Sequence, residues 1–411
     1  MHQIFCTNVR PWLLTTVSQS QPDAANQLPS CISMKPLLAL ITLLSLLACT
    51  GQKNAKTSDS TDTIAFKYAR LIHIERHDGY ALARVDNPWK AGKTLHTYLL
   101  VPQGTPVPDA GQAHGATIVH TPLSRSIIFT SVHAALADQL GAQQQVAGVA
   151  DSKYIKVPFV IEGCRNGTLA DCGDGMNPLV EKIIDAGADA VLLSPFENSG
   201  GYGRLEDIHI PLIECAEYME RSPLARAEWM RFYGLLYGRE RQADSLFALV
   251  DSSYHALKTV AATAKEHPRV LMDKQTGSVW YVPGGRSTIG QMLADAGADY
   301  PFATDDHSGS LALPFEAVLE RAGDAPVWLF RYDSQNTLTR QQLLAEHPGY
   351  KQLAPVATGQ LYGCNVSTSM FYEESPFRPD LLLADFIAIL HPEMAAGNSS
   401  LRYYKRLADQ P

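Results

Sequence analysis

Nowhere in the sequence are Lys and Arg gathered into a basic cluster, and the chain carries a formal charge of −8. Phosphate backbones are gripped by concentrated positive faces, so nucleic-acid binding is set aside. Short catalytic signatures are missing as well: there is no GxSxG, no HExxH, no GxxxxGKS/T, and no GxGxxG after a strand. These absences remove the nucleophile elbow, the zincin helix, the P-loop and the dinucleotide turn. Many active sites carry no such motif, however, so an exported hydrolase stays open as an alternative, with Glu197 and Glu217 as its candidate bases. Cysteine is scarce. Beyond Cys49 only Cys164, Cys172, Cys215 and Cys364 remain, without the paired spacing of a zinc site. His73 and His77 stand four apart, but "RLIHIERHDGYALARV" reads as strand and both are expected on the surface; the other histidines are scattered. No ligand set for a bare metal ion is present.

Only one long apolar run exists, residues 36–48 in "MKPLLALITLLSLLACTGQKN". A short basic start, an apolar stretch and small residues before Cys49 have the form of a secretory signal, too short to span a bilayer comfortably. The four residues "LLAC" resemble the lipobox of bacterial lipoproteins, which makes Cys49 the expected lipidated first residue; an ordinary cleaved signal is the alternative. Residues 1–33 show no periodic pattern, and translation is expected to start at Met34. Next comes "TGQKNAKTSDSTDT", polar and without apolar anchors, which reads as a flexible tether over 49–63. A lipid at the end of a tether implies a membrane-held protein folded in water. No acidic run follows Cys49, so the periplasm is the expected side. In that oxidising compartment Cys164 and Cys172 could close a small disulfide loop or remain two free thiols.

With 45% hydrophobic residues over 411 positions, the chain can bury more than one core. Residues 64–116 contain short alternating runs broken by Gly and Pro, expected as an N-terminal β hairpin extension. "SRSIIFTSVHAALADQLGA" then opens a strand, loop and helix unit, and "SVWYVPGGRSTIGQMLADAGA" opens a comparable one. The pentapeptide "DAGAD" occurs at 185–189 and at 295–299, but in different settings. The first copy leads from a helix into a strand; the second ends the first helix of its half. The true counterpart of "VEKIIDAGADAVLLS" is "FEAVLERAGDAPVWLF", where Glu181 precedes Asp189 by the same distance as Glu316 precedes Asp324. The halves are similar, and the repeated pentapeptide is coincidence. Between them, residues 239–264 lack Pro and Gly and place Ala243, Phe247, Val250, Tyr254, Leu257 and Ala261 at helical spacing. That predicts one helix of about 39 Å joining the halves.

The arrangement resembles the substrate-binding proteins of bacterial ABC importers for iron chelates (siderophores or haem) and cobalamin. The likeness spans roughly 118–393 and rests on the lipobox, "FTSVHAALADQLG", "GMNPLVEKIIDAGADAVLL", "SPLARAEWM", the linking helix, "VWYVPGGRS", and "GQLYGCN" followed by "RPDLLLADFIAILHPE". It implies an α/β fold of two lobes, each a mainly parallel sheet flanked by helices, joined by a single long α-helix. The expected lobes are 117–238 and 265–411. It also implies an ABC permease as partner, no catalysis, and a chelate rather than an intrinsic cofactor as ligand.

Ligands of open α/β sheets sit beyond the carboxyl ends of the strands. The loops expected there supply Thr130, Ser131, Phe196, Glu197, Tyr202, Tyr218, Trp280, Tyr281, Gly284, Gly285, Arg331, Tyr332, Asn365 and Tyr372. Flat aromatic faces with few donors suit a large rigid ligand such as a corrin, a haem or a metal chelate. Tyr202, Trp280, Tyr281 and Tyr372 are expected to stack on it, with Arg331 pairing an anionic group. In the resembling family one Glu per lobe pairs with Arg residues of the permease, and Glu181 and Glu316 stand at the matching places; helix capping is the alternative for both. The Cys49 assignment has a direct check. Metabolic labelling with a fatty acid should mark the protein and vanish in Cys49→Ser; labelling that persists overturns it.

Overall fold

In the computed structural model the described residues are 62–108, 115–197, 201–394 and 400–409. The segment 1–48, Cys49 and nearly all of the tether lie outside them. Among the described residues no helix is long and apolar enough to cross a membrane.

The N-terminal extension is larger than a hairpin. Asp62–Ile64, Ile72–His77, Tyr80–Asp86 and Thr94–Pro102 pair antiparallel in chain order, and Thr117–Thr121 adds a fifth strand parallel to Thr94–Pro102. Residues 117–121, expected to begin the first lobe, therefore belong to this sheet. His73 and His77 lie on its second strand, His73 paired with Asp86 and His77 stacked on Tyr80.

The first lobe is a five-stranded parallel sheet in the order Leu212–Glu214, Ala190–Leu193, Ser126–Ile128, Val146–Val149, Ala170–Asp171. Three of these strands are buried throughout, as a sheet covered on both faces demands. The second lobe has a parallel core of Val270–Met272, Val327–Tyr332 and Leu361–Asn365, edged by antiparallel Lys405–Arg406. Here the sequence reading needs correction. Val279–Pro283, taken as the opening strand of the second half, pairs antiparallel with Gln275–Thr276 and Ser310–Leu313 in a separate three-stranded sheet. The opening parallel strand is Val270–Met272.

The long helix runs over Glu240–Ala261, 22 residues or about 33 Å. Ala243, Phe247, Val250, Tyr254 and Ala261 form its buried stripe, and Leu257 is half-buried. It packs on the helix Met230–Tyr237 and on the helix Pro379–Leu390. Asp295, at the end of helix Thr288–Asp295, accepts from Tyr254 at 2.8 Å and pairs with Lys258 at 2.6 Å.

Both DAGAD copies turn out to be the same helix stop. After helix Val180–Asp185 the Gly187 N–H reaches the Ile184 carbonyl and the Ala188 N–H reaches Ile183; after Thr288–Asp295, Gly297 reaches Ala294 and Ala298 reaches Leu293. Gly187 and Gly297 have φ of 63° and 75°, the left-handed conformation this cap requires. The pentapeptide recurs because the cap recurs.

Two buried carboxylates fasten the N-terminal sheet to the first lobe. Glu228, in helix Pro223–Glu228, accepts the backbone N–H groups of Lys67, Tyr68 and Ala69 at 2.7 to 2.9 Å. Glu220 accepts those of Arg70 and Leu71 and the Trp229 indole N–H, each at 2.9 Å. Burial raises the Glu220 carboxyl above the ordinary range, although these donors oppose it. Glu228→Ala strands three amide donors, each worth roughly 1 to 3 kcal/mol when left unpaired in the interior. Chemical denaturation should show a loss of about 3 to 5 kcal/mol, with Glu228→Gln milder, and protease should cut within 62–121 first. Unchanged stability in Glu228→Ala would remove this carboxylate as the fastening.

Candidate functional site

Each lobe opens a cavity at the carboxyl ends of its parallel strands. In the first lobe a cavity of about 420 Å³ is walled by Phe129, Thr130, Asp151, Met176, Phe196 and Tyr202, with Asn177, Ser194 and Arg204 at its edges. In the second, about 320 Å³ lies among Asp273, Lys274, Tyr281, Arg331, Tyr332, Asp333, Val366 and Tyr372. Every parallel strand of the second lobe delivers a wall residue just past its end: Asp273, Asp333 and Val366.

Asp151 and Asp273 share a backbone feature, Asp151 after the second parallel strand of its lobe and Asp273 after the first. Each follows a parallel strand of its lobe and sits in left-handed backbone, φ 53° and 58°. Asp tolerates that region better than most side chains, and such conformations gather at functional sites. Sequence reasoning missed both, because a single Asp after an apolar run carries no signature.

Arg331 and Asp273 form a two-pronged pair, Nε to Oδ1 at 2.8 Å and Nη2 to Oδ2 at 2.6 Å. Burial pulls the guanidinium down, but the Asp273 bonds outweigh it and hold the group above the usual arginine range. The arginine is thus fixed in the wall rather than free, while among the described residues its Nη1 carries no hydrogen bond.

A junction lies beside both cavities. Helix Ser131–Gln139, capped by Thr130, packs against helix Phe371–Glu374 of the second lobe. Lys156 of the first lobe reaches across to the carbonyls of Val366 and Ser369 and stands 3.6 Å from the buried Glu373. Burial raises the Glu373 carboxyl, opposed by the Lys156 charge. Nothing in the sequence pairs Lys156 with Glu373; their contact depends on the lobes meeting.

The expected site residues divide. Thr130, Phe196 and Tyr202 line the first cavity; Tyr281, Arg331, Tyr332 and Tyr372 line the second. Ser131 opens the junction helix. Glu197 is exposed and lines neither cavity. Tyr218 donates to the Pro195 carbonyl, and Asn365 braces its own loop through Ser334 and Ser367. Trp280 is a correction: it is fully buried, donates to the Met272 carbonyl at 3.0 Å, and packs among Trp328, Phe315 and Tyr350. Gly284 and Gly285 are another. A Cβ on either would lie 2.3 Å from the His307 carbonyl oxygen or 2.2 Å from that of Ala303, so their smallness serves packing of the chain against itself. Glu217, the other candidate base, is buried against His133 at 3.3 Å and lines neither cavity.

Glu181 stands exposed in the first turn of helix Val180–Asp185, where backbone N–H and then Arg204, 2.6 Å away, hold its carboxyl below the ordinary range. Glu316 is exposed in the first turn of Phe315–Ala322, behind Pro314. All four described cysteines are free thiols, and burial raises Cys172 and Cys364 to about 11.

The profile for periplasmic binding proteins matches residues 129–367, more than half of the chain. The chain belongs to the periplasmic binding protein family. An uncharacterized lipoprotein of Methanocaldococcus jannaschii is 25% identical over 374 residues, covering 86% of this chain and 88% of its own. The TroA-like periplasmic binding protein FepB of Veillonella parvula matches in fold with a TM-score of 0.53 at 12% identity, over 70% of this chain and 96% of its own. The periplasmic heme-binding protein RhuT of Roseiflexus sp. RS-1 gives 0.51 at 20% identity, over 66% and 99%. The N-terminal sheet of this periplasmic binding protein precedes the matched residues entirely. Family membership gives it a solute-binding role, and the two cavities are the surfaces suited to that role.

The correction at Trp280 can be measured. Trp280→Ala should cost about 3 to 5 kcal/mol of stability by denaturant titration, whereas Tyr281→Ala next to it should change stability by less than about 0.5 kcal/mol. The reverse order would return Trp280 to the cleft wall.

Proposed function

We propose that the protein captures a metal chelate, of the ferric siderophore, haem or corrinoid class, between its two cavities and passes it to an ABC permease while held to a membrane through Cys49. The observation that carries this reading is the pairing of aromatic walls: Phe196 and Tyr202 in one cavity, Tyr281 and Tyr372 in the other. Such faces suit a flat or bulky organic ligand. The Nη1 edge of Arg331 offers an anionic group one charged donor already held in place by Asp273. Among the described residues no group of three or more His, Cys, Asp or Glu is placed to hold a metal ion, so on this reading the metal arrives inside its chelate. The haem-binding name of the Roseiflexus protein and the lipoprotein name of the Methanocaldococcus relative agree with it.

Delivery would use Glu181 and Glu316, one exposed carboxylate per half, each at a helix start. Because Glu181 is already paired with Arg204, a permease arginine would exchange for an existing partner, adding orientation more than affinity. Absorbance titration with haem, a ferric hydroxamate and cyanocobalamin tests capture. One of them should bind, and Tyr281→Ala or Tyr372→Ala should weaken it by roughly 5- to 150-fold, the effect of about 1 to 3 kcal/mol of apolar contact. In vesicles reconstituted with the cognate permease, the double variant Glu181→Lys, Glu316→Lys should retain that affinity and lose uptake. Normal uptake by the folded double variant would return both carboxylates to helix capping.

A further inference from the structure

The N-terminal sheet, outside the family match, is linked through Glu214 to Tyr202, a wall residue of the first-lobe cavity. On strand Thr94–Pro102, His96 places Nδ1 2.9 Å from one oxygen of Glu214, and the Tyr202 hydroxyl donates to the other oxygen at 2.7 Å. Glu214 ends the strand Leu212–Glu214 and is nearly buried. The imidazole is itself held on two sides: its Nε2 meets the Thr117 hydroxyl at 2.7 Å, and its ring stacks on buried Tyr98 at 4.5 Å with an 11° tilt. Tyr98 in turn accepts the Glu214 backbone N–H at 2.7 Å.

Tyr202 faces two spaces. On one side is the ligand cavity of the first lobe; on the other is a cavity of about 590 Å³ between the sheet and the lobe, walled by His96, Thr117, Ile118, Glu206, His209 and Glu214. The ring stands as a partition between the two, with its hydroxyl tied to Glu214 on the side of the second space. A buried carboxylate with both oxygens engaged is held in one orientation. His96 engages the second.

We infer that His96 is a positioning residue for the ligand site, acting through Glu214 to fix the Tyr202 ring in the wall of the first-lobe cavity. The inference rests on the reading of that cavity as part of the ligand site. It makes the N-terminal sheet a contributor to binding.

The test separates position from affinity. With ring-labelled tyrosine, and the Tyr202 resonance assigned from Tyr202→Phe, the ligand-free protein should show that resonance displaced in His96→Phe toward its value in Glu214→Gln. It should stay at the wild-type value in His96→Asn, whose amide can supply the donor near Nδ1. An unmoved resonance in folded His96→Phe overturns the inference, with or without a ligand in hand. For whichever of haem, ferric hydroxamate or cyanocobalamin binds the wild type, His96→Phe and Tyr202→Phe should each weaken binding by about 5-fold, the effect of one hydrogen bond. The double variant should lose no more than either alone; additive losses overturn the coupling. Phe196→Ala serves as the control for the cavity itself. If it leaves affinity intact, the ligand-site reading fails, while the resonance still decides whether His96 positions Tyr202.

Discussion

Burying a carboxylate is costly unless donors meet it, and this structure depends on two carboxylates that are met almost entirely by backbone. Glu228 and Glu220 take five successive main-chain N–H groups, from Lys67 to Leu71, at the point where the chain turns from its first strand into its second. Such a run of amides cannot bond to itself in extended chain and must find acceptors elsewhere. The lobe provides them, from the loop and helix that precede Trp229. The sheet's position is thereby set to within hydrogen-bond tolerance, and every other contact of the sheet inherits that precision. Arg76 with Glu240 and Tyr68 with Asp251 then extend the attachment onto the long helix.

The inheritance reaches Tyr202, a wall residue of the first-lobe cavity. His96 lies on the sheet's fourth strand and bonds to Glu214 of the lobe on which Glu220 and Glu228 seat the sheet. Sheet, first lobe and long helix are bonded into one body. The cavity walls follow from a different rule, the parallel strands ending together. In each half an Asp in left-handed backbone turns the chain away from the strand end, Asp151 in one and Asp273 in the other. The side chains near that turn face the opening. One of these aspartates spends its charge orienting Arg331; the other, Asp151, keeps a carboxylate at the wall of a mostly apolar cavity.

What was legible in the sequence was periodic or positional. The stripe from Ala243 to Ala261 specified the long helix because each apolar residue occupies the same face, and only Leu257 falls short of full burial. Glu181 and Glu316 were found by their equal distance from an Asp ahead of an apolar strand, and both do open helices. Trp280 was misplaced although the signal was available: in "VWYVP" the period of a strand sends Trp280 and Val282 to one face and Tyr281 to the other. Reading the two aromatics as a pair ignored that alternation. Gly284 and Gly285 fall in a loop expected at the ligand site, whereas the space beside them is filled by residues 303–307. His96 with Glu214 and Lys156 with Glu373 had no local signal at all, since each pair is joined only by the fold.

That last pair bears on how a cleft with two separate walls can bind anything. Two cavities of moderate size, each open to water, bind a shared ligand well only if their separation is fixed beforehand; otherwise ordering the lobes consumes the gain. The junction supplies such fixing. Helix Ser131–Gln139 lies on helix Phe371–Glu374, Tyr233 meets Phe377 edge to face, and Lys156 spans the seam to two carbonyls and to Glu373. The lysine bonds both to Val366, a wall residue of the second cavity, and to a carboxylate one position from Tyr372, another. Moving the second lobe away from the first would leave the buried Glu373 without its counter-charge, a change far more costly than losing an exposed salt bridge. The seam therefore ties the two lobes together beside both cavities and resists their separation there.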